Sequence, residues 1–150
     1  MAVYPVSEIA NTTCILNGAS VHAEAARALI DRISSELGTQ AQVIVTRTGD
    51  EIVPLAKRAV SEKHSRVAAG GGDGTVNAVA GVVAGTDTAL GVLPMGTLNH
   101  FAKDAGIPLD LEAAVRNFFT GRVVKVDVGE VNGPRLREQF GHRRLSPSRA

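Results

Sequence analysis

One short segment combines the residue types that hold a phosphate, and it reads Gly70-Gly71-Gly72-Asp73-Gly74-Thr75. A β-prone stretch precedes it and a helix-prone stretch follows it, so the glycines lie where a strand passes into a helix. Glycine lets the backbone turn sharply and come close to a ligand. The first N–H groups of a helix have no partners within the helix and attract anions. The pattern therefore predicts an anion-binding loop; a tight turn that needs glycine only for packing is the alternative.

Asp73 and Thr75 add polar side chains to this segment. A carboxylate repels a phosphate unless a cation lies between them. We therefore expect Asp73 either to orient water on Mg²⁺ or to accept hydrogen bonds from backbone amides of the loop. We expect the hydroxyl of Thr75 to cap the following helix, to donate to a phosphate, or to do both.

Two common nucleotide-binding motifs do not fit the segment. A P-loop requires a lysine after its last glycine, whereas Thr75 follows Gly74. A dinucleotide-binding fingerprint requires a third glycine where Thr75 lies, and an acidic residue on a second strand that here precedes the loop. The sequence therefore disfavours both a P-loop enzyme and a Rossmann dehydrogenase.

Hydrophobic periodicity divides the chain into alternating strands and helices. Strands are predicted at 13–17, 42–46, 66–69, 89–93 and 122–128, and helices at 22–37, 50–63, 76–84, 98–105 and 110–120. Ser20, Asp50 and Asp110 are the expected helix N-caps. Strands that alternate with helices favour right-handed crossovers and a parallel sheet. The expected fold class is α/β, with an open, mostly parallel sheet and helices on both faces.

Composition indicates the broad class of protein. A chain of 150 residues with 44% hydrophobic and 21% charged content is typical of one globular domain. A net charge of +1 does not indicate a nucleic-acid partner. A single cysteine and the lack of a leader-like start or a long apolar run predict a cytoplasmic protein without a transmembrane segment. Nothing in the sequence indicates an oligomeric state.

A second block, LPMGTLNHFAKDAGIP, begins at Leu93. Together with GGDGT and the VNAV that follows, it resembles the diacylglycerol kinase catalytic-domain family, above all its bacterial lipid kinases, over about residues 15–133. The family is also similar to sphingosine kinases and, more distantly, to NAD kinases and phosphofructokinases. The resemblance implies an N-terminal α/β domain that binds ATP and Mg²⁺. It also implies a C-terminal β-sandwich domain that completes the lipid site and supplies the catalytic base, so the base is unassigned in this chain.

The resemblance also assigns roles to individual residues. The residues assigned to nucleotide binding are Asn17, Thr46, Gly71, Gly72, Asp73, Gly74, Thr75, Gly96, Thr97 and Asn99. Asp73 and Asp127 are assigned to Mg²⁺, both through water. The substrate implied is a lipid hydroxyl, such as that of diacylglycerol. The protein would reach it as a peripheral protein at the inner membrane surface.

The chain departs from the family pattern at three places. After Asn17 the family's proline is replaced by Gly18. His100 follows Asn99 where the family commonly has Asp, which either weakens the Mg²⁺ network or marks a subgroup. Residues 134–150 hold five Arg and one Glu without strand alternation and are expected to be a loop or disordered.

The third departure bears on domain organisation. We expect residues 1–133 to form the nucleotide-binding domain and 134–150 an Arg-rich tail, without the family's C-terminal domain. A reading-frame shift or a shortened gene would produce such an end. A genuine basic tail that binds anionic lipid surfaces is the alternative.

Three functional hypotheses follow from these observations. The first is the ATP-binding domain of a lipid kinase, inactive as an isolated chain. The others are a non-catalytic nucleotide-binding fragment and an enzyme of the NAD kinase type, which the second block favours less. The histidines are candidate bases by residue type alone, and each could equally be a surface or packed residue: His22, His64, His100 and His142.

Overall fold

The computed structural model describes residues 11–126 and 143–145. Its strands are β1 (Thr12–Leu16), β2 (Gln42–Val45), β3 (Arg66–Gly71), β4 (Ala89–Pro94), β5 (Val124–Val126) and β6 (Arg143–Leu145). Its α-helices are α1 (Ala23–Glu36), α2 (Ile52–Ser61), α3 (Asp73–Val83), α4 (His100–Ala105) and α5 (Leu111–Thr120). A 3-10 turn (Gly49–Glu51) precedes α2. None of the helices in these ranges is long and apolar enough to cross a membrane.

The six strands form one sheet in the order β2-β1-β3-β4-β6-β5. All neighbours are parallel except β5, which runs antiparallel to β6. The predicted α/β fold with a mostly parallel sheet is therefore confirmed. β2 lies beside β1 at one end of the sheet, whereas β4 lies beside β3 in the opposite direction. The strand order therefore reverses between β1 and β3. In open α/β sheets this switch point, at the carboxyl ends of the strands, is where ligands bind.

Helices cover both faces of the sheet. α2 packs beside α3, and α1 packs beside α5 on the opposite face. Strands β1, β3 and β4 are buried along their whole length, as expected of parallel strands covered from both sides. α1 contributes Ala26, Ile30 and Ile33 to the core. These residues form one face of the helix, and polar residues occupy the other face.

One predicted helix cap is confirmed and two are wrong. The Asp110 carboxylate accepts a hydrogen bond from the N–H of Ala113 at 3.0 Å and caps α5. Ser20 lies two residues before the N-cap position of α1. Its hydroxyl accepts from the N–H of His22 at 3.2 Å and donates to the carbonyl of Met95. Asp50 lies inside the 3-10 turn, because the chain makes this turn before α2 begins.

The end of the chain also differs from expectation. Residues 134–150 were expected to lack regular structure, which is wrong at Arg143–Leu145, where β6 pairs in parallel with β4. The edge of β4 offers unpaired backbone groups, and backbone pairing does not require side-chain alternation. β5 begins at Val124, two residues later than predicted, and Asp127 lies outside the described residues.

Candidate functional site

The glycine segment is a strand end joined to a helix start, rather than a loop from Gly70 to Thr75. β3 runs through Gly71 because the backbone there pairs with β4, and the Gly71 carbonyl accepts from Met95 N–H at 3.0 Å. Gly72 alone connects the elements, as the N-cap residue of α3. The N–H of Val76 bonds back to the Gly72 carbonyl at 3.1 Å. The three preceding amides therefore lie in the first turn, which lacks intrahelical acceptors.

Thr75 lies at the third position of α3, so the prediction that it caps the helix is wrong. Its buried hydroxyl oxygen accepts a hydrogen bond from Asn17 Nδ2 at 3.1 Å. Asn17 is itself fixed, since its N–H donates to the Gly70 carbonyl and its Oδ1 accepts from the N–H of Ala19. Because the Thr75 oxygen accepts from Asn17, its proton remains available to another acceptor.

The β3–α3 connection touches the loop after β4 through two glycines. A Cβ on Gly72 would lie 3.4 Å from the Cα of Gly96, and a Cβ on Gly96 would overlap the Cα of Gly72. Only glycine at residue 96 lets the two backbones come so close. A Cβ on Gly74, by contrast, would meet nothing within 4 Å, so the first turn of α3 borders open space.

Asn99 closes the loop that follows β4. Its Oδ1 accepts from the N–H of Gly96 at 3.0 Å, and its Nδ2 donates to the Gly96 carbonyl at 2.9 Å. Its backbone is left-handed, with φ of 53°, a conformation that asparagine adopts more readily than most residues. Both ends of this side chain are thus bound within the loop, while Thr97 is exposed beside it.

Asp73 joins the first turn of α3 to the start of α4. Its two carboxylate oxygens accept hydrogen bonds from the amides of His100 and Phe101, each at 3.0 Å. Of the two expectations for this residue, backbone-amide binding is therefore observed, although the amides belong to α4. Partial burial raises the pKa of Asp73. The amides of Phe101 and His100 and the nearby side chains of His100 and Lys103 outweigh this, so the pKa lies below its ordinary value.

Thr46 lies just after β2 and is buried. Its hydroxyl oxygen accepts from the N–H of Gly18 at 3.3 Å, and its own N–H donates to the Leu16 carbonyl at 2.9 Å. The family's proline at residue 18 would have no N–H to donate here. In this structure Thr46 positions the turn after β1, and its contact with a nucleotide stays a prediction.

The structure thus gathers most of the predicted site residues at the carboxyl edge of the sheet. The residues that it brings together by direct contact or along one turn are Asn17, Gly71, Gly72, Asp73, Gly74, Thr75, Gly96, Thr97 and Asn99. Thr46 joins them through Gly18. Asp127 and His142 lie outside the described residues. The sequence did not reveal the bond from Ser20 to Met95, because no local pattern signals a contact between two loops so far apart in the chain.

The three histidines in the described residues lie at both edges of the sheet. His64 lies at the opposite edge, where its Nδ1 is 2.6 Å from the hydroxyl of Thr13. His22 and His100 are exposed, at the starts of α1 and α4. Within residues 11–126 and 143–145, no three His, Cys, Asp or Glu side chains converge to hold a metal ion directly.

Comparison with known proteins gives the family. The family model of the diacylglycerol kinase catalytic domain matches residues 11–131. The chain is 37% identical over 134 residues to a Klebsiella pneumoniae (strain 342) protein named "Probable lipid kinase YegS-like", covering 88% of this chain and 43% of that protein. A protein of the same name from Chromohalobacter salexigens is 37% identical over 131 residues, which is 85% of this chain and 42% of the relative.

The fold is shared with a solved structure. A diacylglycerol kinase from Bacillus anthracis strain Sterne superposes with a TM-score of 0.69 at 22% identity, over 81% of this chain and 43% of the other. This chain therefore spans less than half the length of these relatives. On its sequence match and its α/β architecture, the chain belongs to the diacylglycerol kinase catalytic domain family, a family of lipid kinases.

Proposed function

We propose that this chain binds ATP with the phosphates at the start of α3, as the nucleotide-binding part of a lipid kinase. The observation that supports this most is the first turn of α3. Its leading amides lack intrahelical acceptors, the Thr75 hydroxyl retains a proton to donate, and the space beside Gly74 is open. All three features lie next to the switch point of the sheet.

Phosphoryl transfer depends mainly on positioning and on donors fixed where charge develops. The amides of Asp73, Gly74 and Thr75 would hold the phosphate oxygens. Asn17 would keep the Thr75 hydroxyl in place, and Asp73 and Asn99 would keep the loop after β4 against Gly72. These donors are set by backbone hydrogen bonds, so little rearrangement would be needed when the nucleotide binds.

Mg²⁺, when bound, would neutralise phosphate charge. Each oxygen of Asp73 accepts one amide hydrogen bond in the structure and keeps a lone pair for a water on the metal. We propose that Asp73 and Asp127 hold the ion in this indirect way. The His100 imidazole carries no negative charge that could replace the family's usual carboxylate. Its backbone N–H bonds to Asp73, and its side chain helps to lower the pKa of Asp73.

We propose a lipid hydroxyl such as that of diacylglycerol as the phosphate acceptor, met at the surface of the inner membrane by a cytoplasmic protein. The family of lipid kinases supports the class of substrate. No contact within the described residues identifies a base for the lipid hydroxyl. We therefore propose that the base comes from the portion of the family's chain that this one does not span, and that this chain alone binds ATP without turnover.

The proposal is tested with two matched glycine variants. A Cβ at residue 49 also meets nothing within 4 Å, so Gly49→Ala is the control for Gly74→Ala. We expect Gly74→Ala to weaken Mg-ATP binding at least about tenfold in calorimetry, because the methyl group occupies the ligand space. Its stability should stay equal or rise by about 0.5–1 kcal/mol, since alanine favours a helix. Equal ATP affinity in the parent and in Gly74→Ala would contradict the proposed site.

Radiolabelled transfer from ATP to diacylglycerol in mixed micelles tests the second part. We expect no transfer by the 150-residue chain that binds ATP. Transfer by this chain alone would contradict the proposed location of the base, and transfer to NAD instead would favour the NAD kinase alternative.

A further inference from the structure

Two large apolar side chains are exposed at the edge of the sheet that carries the proposed ATP site. Val21, in the turn between β1 and α1, is 91% exposed, and Leu98, in the loop between β4 and α4, is 57% exposed. Leu109, just before α5, is 50% exposed, and Leu37 and Val124 are less exposed. One such side chain would need no explanation. Two of them on the loops that flank α3 call for one.

The two loops are joined to each other. The Ser20 hydroxyl donates to the Met95 carbonyl at 3.2 Å. Val21 directly follows Ser20, and Leu98 lies three residues after Met95. Both residues therefore lie on neighbouring loops at the carboxyl ends of β1 and β4, on either side of β3 and the start of α3.

We propose that Val21 and Leu98 insert into the interfacial layer of a lipid bilayer and turn the phosphate-binding edge toward it. This inference rests on the proposed lipid kinase function. The acyl chains of a membrane lipid stay in the bilayer while its hydroxyl lies at headgroup level. The edge that holds the phosphates must then face the bilayer for phosphate and hydroxyl to meet. Apolar side chains at that edge lose exposed surface as they enter the interface.

The charged side chains near Val21 and Leu98 indicate which lipids this edge would bind. Near the apolar pair, Lys103 is followed by Asp104, and Glu24 lies in the first turn of α1. These side chains give the edge no excess of Lys or Arg that would select anionic lipids. Binding should therefore depend on the apolar side chains and persist on phosphatidylcholine vesicles at about 0.5 M salt, where surface electrostatics are screened.

The absence of tryptophan from the chain allows a direct test. Val21→Trp and Leu98→Trp each place a single fluorophore at this edge. Leu37→Trp is the control, since Leu37 is also an exposed leucine (42%) but lies at the other end of α1. With phosphatidylcholine vesicles that contain diacylglycerol, we expect a blue shift and quenching by brominated lipid at residues 21 and 98, and neither at residue 37.

Several results would overturn the inference. These are an unchanged spectrum at residues 21 and 98, an equal change at residue 37, or a shift that grows with protein concentration without vesicles. The last would show that a second copy of the chain covers this surface.

Loss-of-contact variants complete the test. The double variant Val21→Ser/Leu98→Ser should partition onto vesicles at least about tenfold less than the parent in sedimentation, whereas Leu37→Ser should match the parent. ATP affinity is measured on the same samples. A parent that binds ATP but not vesicles overturns this inference alone. A parent that binds vesicles through Val21 and Leu98 but not ATP supports the membrane contact and contradicts the proposed function.

Discussion

The two edges of the sheet satisfy their polar groups in different ways. At the amino edge, the buried guanidinium of Arg66 donates to the carbonyls of Phe118 and Phe119 in the last turn of α5. Nearby, the Thr88 hydroxyl donates to the His64 carbonyl at 2.9 Å. At the carboxyl edge, the first turn of α3 instead faces open space. Polar groups that bond to each other stabilise the fold, whereas donors left free at a helix start are available to a ligand.

The same difference appears in the way the edges use side chains. Arg66 closes the carboxyl end of a helix with a buried side chain. Asp73 bonds to the first amides of α4, and Asn99 bonds to Gly96 within its own loop. Asn17 bonds to the N–H of Ala19 and to the Thr75 hydroxyl. They shape the border of the open space without filling it. We therefore expect substitutions at the amino edge to change mainly stability, and substitutions at the carboxyl edge to change ligand binding, with a smaller effect on stability.

Arg66→Ala should show the largest effect on stability. It leaves the carbonyls of Phe118 and Phe119 without their buried donor and opens a cavity, which we expect to cost about 3 kcal/mol in urea unfolding. Arg32→Ala, which removes an exposed ion pair with Glu36 and Glu112, is the control and should cost less than about 1 kcal/mol. ATP affinity of the folded Arg66→Ala protein should equal that of the parent. A loss of affinity without loss of stability would remove the distinction between the edges.

Asp73→Asn should have a smaller and pH-dependent effect. The side-chain oxygen of asparagine can accept a hydrogen bond from one of the two α4 amides. Its NH₂ group then faces the other amide, and two donors cannot bond to each other. We expect a loss of about 1–2 kcal/mol near pH 7. Because the folded pKa of Asp73 is depressed, its contribution is complete above the ordinary value of 3.8 and disappears as pH falls through the folded pKa. Urea unfolding of both proteins from pH 7 to pH 3 should therefore show the difference narrowing; a constant difference would mean that ionised Asp73 does not hold α4.

Local signals explain what the sequence predicted correctly. A run of glycines between an aliphatic strand and a periodic helix located the β3–α3 junction, and Asp110 before an apolar helix identified a cap. The error at the glycine segment has a long-range cause. Gly70 and Gly71 pair with β4, more than twenty residues further along the chain, and this extends the strand.

The partners of Asp73 were beyond sequence reasoning for the same reason. His100 and Phe101 lie 27 and 28 residues away, and their backbone amides leave no mark in residue type. Asn99 shows the complementary case. The family resemblance assigned it to the nucleotide, while its side chain bonds twice to Gly96 within its own turn. A motif can locate a site residue without distinguishing ligand contact from loop geometry.

Amide resonances from a ¹⁵N-labelled chain, titrated with Mg-ATP, test the central claim most directly. We expect the amides of Asp73, Gly74 and Thr75 to shift with a common affinity, while those of Thr88 and Ala89 at the amino edge stay unchanged. Unperturbed amides in the first turn of α3 at saturating ATP, or equal shifts at both edges, would contradict it.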